Sequence, residues 1–300
     1  MTQLSIITAT FNNLELTKAY WESLINNQPS LPWEIIWIDD CSTDGTREWL
    51  KSIESENCRV ILNTKNLGFS ANNNLGAHHA KGEILCLLNN DIILITGWFE
   101  PMLRALSQNE AVGIVGNVQL RVDTQRVDHA GIWFDLVGLP NHAYQRRTAD
   151  CIKGAGRHYS AVTAACWLIK KERFISCGGF DTVYRNGYED IDLCLRLNKA
   201  GYQHWVAYES RILHHVSSSE GRTRHNCSNI KHFLQRWAAF SGAIGQQEWH
   251  SYYLKRIIKK PLQLNLPKTI DACLRALKLR SGDSNWAKKT RKRFLSAADQ

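Results

Sequence analysis

A chain of 300 residues with 44% hydrophobic and 22% charged residues carries enough apolar side chain to bury a core, which excludes a disordered or low-complexity chain. No apolar run approaches the ~18 residues that a membrane-spanning helix needs, and the first eleven residues lack a basic segment followed by an apolar one, so a cytosolic protein is expected. The nine cysteines are odd in number and form no Cys-x-x-Cys pair, which argues against a zinc cage and a secreted disulfide framework.

The net charge of +9 is unevenly placed. Residues 231–300 hold 15 Lys and Arg against 4 Asp and Glu, whereas residues 1–230 hold 22 against 24. Two regions with different partners are therefore expected, 1–225 and 226–300.

In chain order, Leu4 to Thr10 is a β-branched, apolar run that breaks at Phe11-Asn12-Asn13, and residues 14–25 follow with helical spacing. The alternation repeats, with strands at 33–38, 59–62 and 83–88 and helices at 46–53 and 70–80. Strands alternating with helices imply right-handed crossovers and a mainly parallel sheet, hence an α/β fold.

Each strand closes in polar residues: Thr8 and Thr10, Asp39 and Asp40, Asn63 and Asn66, then Asn89-Asn90-Asp91. Ligands of open α/β sheets bind outside the carboxyl ends of the strands, so four such ends on one rim form a nucleotide-sized site. The plainer readings are strand threonines, a helix cap within Asp39-Asp40-Cys41-Ser42-Thr43-Asp44, and an Asn-rich turn. The cap is favoured for Asp44; for Asp40, acceptance of hydrogen bonds from a base or ribose is favoured. Gly68 permits close backbone approach where a loop enters a helix, and the free N–H groups of that turn suit phosphate or ribose oxygens. Neither Gly-Lys-Ser/Thr nor Gly-x-Gly-x-x-Gly occurs, which weakens the phosphate-loop hydrolase and dehydrogenase readings.

A helix near 98–107 and a strand near 112–118 end the alternation. Residues 119–160, rich in His, Arg, Gly and aromatics, read as a binding loop or lid. Residues 161–170 read as a strand, on which Trp167 is either core or a sugar-stacking surface. Gly178-Gly179-Phe180-Asp181 turns the chain toward Gly187-Tyr188-Glu189-Asp190-Ile191-Asp192, which opens a helix stopped by Gly201. Glu189 and Asp190 sit where the helix dipole favours ionised carboxylate, one more than capping requires. Arg196 either pairs within this helix or reaches a phosphate. A strand at 211–213 ends in His214-His215, followed by Val216 and three serines.

Together, the motifs Ser5-Ile6-Ile7-Thr8-Ala9-Thr10-Phe11-Asn12, Ile38-Asp39-Asp40-Cys41-Ser42-Thr43-Asp44, Asn66-Leu67-Gly68-Phe69, Leu88-Asn89-Asn90-Asp91, Gly187-Tyr188-Glu189-Asp190-Ile191-Asp192 and Leu213-His214-His215 resemble the bacterial family 2 glycosyltransferases of the GT-A fold. The likeness is greatest to the rhamnosyltransferase-like members that build O-antigen and other surface polysaccharides, and it runs from about Leu4 to Ser219. It implies a Rossmann-like, mainly parallel sheet with helices on both faces, plus a C-terminal helical extension. It also implies that Thr8, Ala9, Thr10, Asn12, Asp40, Asn66, Gly68, Phe69, Asn73, Asn89 and Asn90 hold the nucleotide. Asp91 and His214, or its neighbour His215, would hold Mn²⁺ or Mg²⁺; Asp190, with Glu189 beside it, would be the catalytic base; Trp167 and Arg196 would face sugar or acceptor. Two positions depart from the family pattern: Asn89 replaces the first Asp of its Asp-x-Asp motif, and Asn73 stands where many members carry Arg.

The implied activity is inverting, metal-dependent transfer from a nucleoside-diphosphate sugar, dTDP-rhamnose or a UDP-sugar among the candidates, to a hydroxyl of a growing or lipid-linked surface glycan. The implied place is the cytoplasm at the inner face of the bacterial membrane, with a homodimer as one arrangement. The alternatives are a sugar nucleotidyltransferase and a catalytically inactive nucleotide-sugar-binding protein. The first of these usually opens with a Gly-rich, basic loop after its first strand, which Phe11-Asn12-Asn13 is not.

In the C-terminal region, 231–244 and 249–260 read as helices, with Trp237, Phe240, Trp249, Tyr252 and Tyr253 interleaved with Lys255, Arg256, Lys259 and Lys260. This pattern fits contact with an anionic membrane surface. The plainer reading is a helical pack with a solvated basic face. No nucleic-acid module is recognised, so no nucleic-acid partner is expected.

Overall fold

The computed structural model describes residues 2–216 and 226–296, in two units: Met1–Gly131 with His142–Thr223, and Ile132–Asn141 with Arg224–Gln300. Ser217–Ser219, where the family resemblance ends, lie outside the described residues.

The first unit begins with the expected alternation: β1 (Leu4–Thr10), α1 (Leu14–Asn26), β2 (Trp33–Asp39), α2 (Thr46–Ser52), β3 (Cys58–Leu62), α3 (Phe69–His79) and β4 (Ile84–Leu88). β1 and β2 are near-continuous apolar runs and buried on both faces, as parallel strands covered by helices must be. β1 pairs in parallel with β2 on one side and with β4 on the other, and β3 extends the sheet beyond β2. The strand order therefore reverses between β1 and β4. Below this rim, Trp37 of β2 is fully buried with Tyr20, Trp21 and Trp49 packed edge-on around it; truncating such a side chain to Ala costs about 3–5 kcal/mol. Gly76 lets α3 approach the sheet, because a Cβ there would lie 2.5 Å from Ile7 Cγ2 and 2.9 Å from Ile38 Cδ1.

The sheet continues through β5 (Ile92–Leu94), α4 (Glu100–Gln108), β6 (Val112–Arg121) and β7 (Val127–His129). Next in this unit, after β8 (Ile132–Phe134) and β9 (Pro140–His142), come β10 (Gly156–Tyr159), β11 (Cys166–Lys170), α5 (Lys171–Ser176), α6 (Glu189–Lys199) and β12 (Gln203–His214). The order is β10-β12-β6-β11-β4-β1-β2-β3, with β5 on β12 and β7 on β6. β11 runs antiparallel between β4 and β6, and β12 runs parallel to β6, so the sheet is mixed but mostly parallel. This is the expected α/β class.

Two readings change. Residues 119–160 carry four short strands, three or four residues each, too short for their alternation to register in a sequence. β12 has twelve residues instead of three, and a register shift between Ala207 and Arg211 interrupts the pattern a reader would follow.

In the second unit β8 and β9 form a hairpin that precedes α7 (Asn226–Lys259), α8 (Leu266–Ala276) and α9 (Asn285–Ser296) in the chain. A single 34-residue α7 replaces the two expected helices. Its aromatics are packed inward: Trp237 and Trp249 are buried, Phe134 stacks on Phe233 and Trp133 on Tyr252. Arg291 of α9 donates to the Leu136 and Val137 carbonyls and pairs with Asp283. The hairpin thus groups with the C-terminal helices, which the expected division at 225 does not anticipate.

Candidate active site

A cavity of about 610 Å³ opens at the carboxyl ends of β1 and β4, where the strand order reverses. Ala9 and Thr10 end β1 and line one wall with Asn12, and the Thr10 hydroxyl is buried without a hydrogen-bond partner among the described residues. Asn12 takes a left-handed backbone, which Asn tolerates better than most residues. Its backbone N–H donates to Ser42 Oγ and its side-chain oxygen accepts from Thr43 N–H, tying the β1 and β2 loops together.

Asp40 lines the same cavity, but its carboxylate is taken up by the next loop. Oδ1 accepts from Leu67 N–H at 2.7 Å and Asn63 Nδ2 at 3.0 Å, and Oδ2 accepts from Gly68 N–H at 2.9 Å. Gly68 then enters α3 with φ of 82°, a backbone that L side chains resist. Asn66, Gly68 and Phe69 line the cavity because Asp40 holds this loop in place.

Asn89, Asn90 and Asp91 follow β4, and all three line the cavity. Asn90 donates to Thr17 Oγ1 at 2.9 Å. Pairing of β11 against β4 brings Ala165 O to Asn89 N–H, and this sets Thr163, Ala164 and Ala165 opposite the Asn-Asn-Asp run. Pairing of β12 with β5 aligns His214 with Ile92, and His215 N–H donates to Asp91 O. His214 Nε2 consequently lies 3.3 Å from Asp91 Oδ1. On its other side His214 Nδ1 is 3.8 Å from Asp128 Oδ2 in β7.

At the third wall α6 begins with Glu189 and Asp190 in its first turn, where the dipole favours carboxylate. Glu189 Oε2 accepts from Gly187 N–H at 2.7 Å and so braces the turn. Asp190 is half-buried at the cavity, accepting from Ala164 N–H at 3.2 Å and Ile191 N–H at 2.8 Å.

Five expected site residues are not among those that line this cavity: His214, which stands behind the cavity-lining Asp91, and four that lie elsewhere. Thr8 is fully buried and shares a hydrogen bond with Tyr20 OH. Asn73 bonds to Phe69 O one turn earlier in α3. Trp167 is core, stacked on Phe180. Arg196 pairs with the buried Asp192 at 2.8 Å and donates to the Cys177 and Gly179 carbonyls, locking α6 to the preceding turn. Phe11, Asn72, Thr163 and Asn186 line the cavity without having been singled out. Phe11 belongs to the motif that closes β1 and Asn72 to the Asn run in the first turns of α3, whereas Thr163 and Asn186 carry no local signal.

The donor set fits a divalent cation. His214 is buried, and neither of its ring nitrogens has a hydrogen-bond partner among the described residues. Two adjacent ligands of an octahedral ion at about 2.1 Å lie about 3.0 Å apart, close to the 3.3 Å separation of His214 and Asp91. No cluster of three or more His, Cys, Asp or Glu suited to a metal occurs among the described residues, so such an ion would complete its shell with water or ligand oxygens. Among the described residues, no Lys or Arg lines the cavity.

The crystal structure of GalNAc-T7 with UDP, GalNAc and Mn²⁺ superposes with a TM-score of 0.65 at 17% identity, over 82% of this chain and 50% of that one. That likeness defines the class of fold, the GT-A arrangement. Residues 5–176 match the family described as Glycosyl transferase family 2, and the chain belongs to that family. Uncharacterized protein y4gI of Sinorhizobium fredii is 33% identical over 229 residues, 73% of this chain and 25% of that protein. O-antigen biosynthesis protein RfbC of Myxococcus xanthus is 32% identical over 158 residues, 50% of this chain and 12% of that protein. The chain therefore spans a quarter or less of the length of these relatives.

Proposed function

We propose that the chain transfers a sugar from a nucleoside-diphosphate sugar to a hydroxyl of a growing or lipid-linked surface glycan. The convergence of Asp91 and Asp190 on one cavity at the switch point supports this reading most strongly. The nucleoside lies against Thr10, Asn12 and the Gly68 loop, and the diphosphate reaches toward Asp91. Asp91 and His214 would hold a divalent cation, which would supply charge neutralisation for the departing diphosphate. One imidazole ligand favours Mn²⁺ over Mg²⁺, and GalNAc-T7 carries Mn²⁺.

Asp190 takes the proton of the acceptor hydroxyl as that oxygen bonds to the anomeric carbon. The bond from that carbon to the diphosphate oxygen breaks, and its electron pair leaves with the diphosphate. Attack opposite the leaving group inverts the anomeric configuration. Glu189 holds the turn that presents Asp190. The name of the RfbC relative supports an O-antigen type of acceptor, with dTDP-rhamnose and UDP-sugars as the donors to try first. The site of action is the cytoplasmic face of the membrane on which such acceptors are carried.

A panel of sugar nucleotides in a thermal-shift assay, with and without Mn²⁺, tests this reading. Donors of one base should raise the melting temperature in the presence of Mn²⁺, by an amount that corresponds to about 2.7 kcal/mol at a hundredfold excess over Kd. No shift with any sugar nucleotide contradicts it.

A further inference from the structure

α8 is built inside out for a water-soluble helix. Its buried side holds an ion pair: Asp271 is 1% exposed, Arg275 is 5% exposed, their side chains meet at 3.0 Å, and Trp286 Nε1 donates to Asp271. Its outer side carries Leu266 and Ile270, and the C-cap residue Leu277 continues the same stripe; they are exposed by 64%, 51% and 67%. The turn entering the helix adds Leu262, fully exposed, and Leu264. An exposed aliphatic stripe of this kind marks a surface for an apolar partner.

The surroundings identify that surface by charge. Residues 249–296 hold 13 Lys and Arg against two carboxylates, Asp271 and Asp283, and both carboxylates are already paired with arginines. Exposed Lys259 and Lys260 precede the leucine turn, and Lys278 closes the stripe. A basic rim around exposed aliphatic side chains matches lipid headgroups over acyl chains. Stacking by a single-stranded nucleic acid would call for a row of exposed aromatic platforms, and in this unit Trp237 and Trp249 are buried, with Phe294 alone among the described aromatics exposed.

We infer that the outer face of α8, with its leading turn through Leu262 and Leu264, docks on an anionic lipid surface. This stands apart from sugar transfer, since binding to vesicles needs no catalysis.

The test is flotation of the full chain with vesicles of phosphatidylcholine alone, or with about a third of the lipid as phosphatidylglycerol. The chain should float only with the anionic vesicles. Raising salt from about 0.1 M to about 1 M, which shortens the Debye length from about 10 Å to about 3 Å, should release it. A variant with Leu262→Ser, Leu264→Ser and Leu266→Ser should lose at least about tenfold in bound fraction. Its melting temperature should not change, because all three side chains are exposed. The idea is overturned by a wild type that stays at the bottom, by equal flotation of the two proteins, or by flotation indifferent to phosphatidylglycerol. Concentration-dependent dimers by light scattering, lost in the Ser variant and unaccompanied by flotation, would assign the face to a second copy and overturn it as well.

Discussion

His214 Nε2 and Asp91 Oδ1 stand 3.3 Å apart because β12 pairs with β5, the short strand directly after Asp91. That pairing, more than either residue's local sequence, brings together the two residues proposed to hold a cation beside the cavity. His214→Ala and Asp91→Asn should each weaken Mn²⁺ binding by at least about tenfold, measured by paramagnetic resonance of free Mn²⁺ with a nucleoside diphosphate present. Unchanged affinity in both would remove the pair from that role.

Asp128 Oδ2 lies 3.8 Å from His214 Nδ1, beyond hydrogen-bond reach, on the ring edge opposite the one that faces Asp91, and we propose that it orients the imidazole when a cation is bound. Carboxylates behind metal-binding histidines fix the tautomer and ring orientation, and losing one typically costs about 10–100-fold in affinity. Asp128→Asn should therefore weaken Mn²⁺ binding within that range while nucleotide binding without metal is kept. Equal loss of both would mark Asp128 as a structural residue only.

Asp40→Ala would strand the N–H groups of Leu67 and Gly68 and the amide of Asn63. Hydrogen bonds to a charged acceptor contribute about 1.5–3 kcal/mol each. A loss of about 3 kcal/mol in urea unfolding, with weaker donor binding, is expected. A variant of normal stability that binds the donor poorly would instead return Asp40 to direct nucleotide contact.

His204 should make the fold acid-sensitive. Burial lowers its pKa from the ordinary 6.5 to about 4, against a smaller raising effect of the hydrogen bond to Cys194 O. The unfolded chain then binds this proton more tightly than the native one. The stability from neutral His204 is complete above pH 6.5 and is lost as pH falls toward 4, on the order of 3 kcal/mol in all. His204→Gln, which keeps a donor for the carbonyl, should flatten the fall in melting temperature over that window. Parallel curves for the two proteins would exclude His204 as its source.

Much of the first unit was legible because its signals are local. β1 to β4 are apolar runs closed by polar residues, and that pattern located Thr10, Asn12, Asp40 and Asn89-Asn90-Asp91 at the rim. Roles that depend on side-chain direction were not legible. Thr8 is two residues from Thr10, yet it bonds to Tyr20 in the core, and only the structure decides between the two readings of Arg196, in favour of pairing with Asp192 in its own helix. Thr163 and Asp128 became visible only through strand pairing across the sheet. In the second unit composition located the basic region, but the aromatics it drew attention to are packed inside, and the leucines of α8 form the exposed face.

Asp190 is the residue proposed to take the proton in sugar transfer at this cavity. Release of nucleoside diphosphate from a bound sugar nucleotide, followed with Mn²⁺ for wild type and Asp190→Asn, tests it most directly. Release by the wild type is expected, with release at least about a hundredfold slower in the variant and donor affinity kept. Equal release by the two proteins, or loss of donor binding together with turnover, would contradict it.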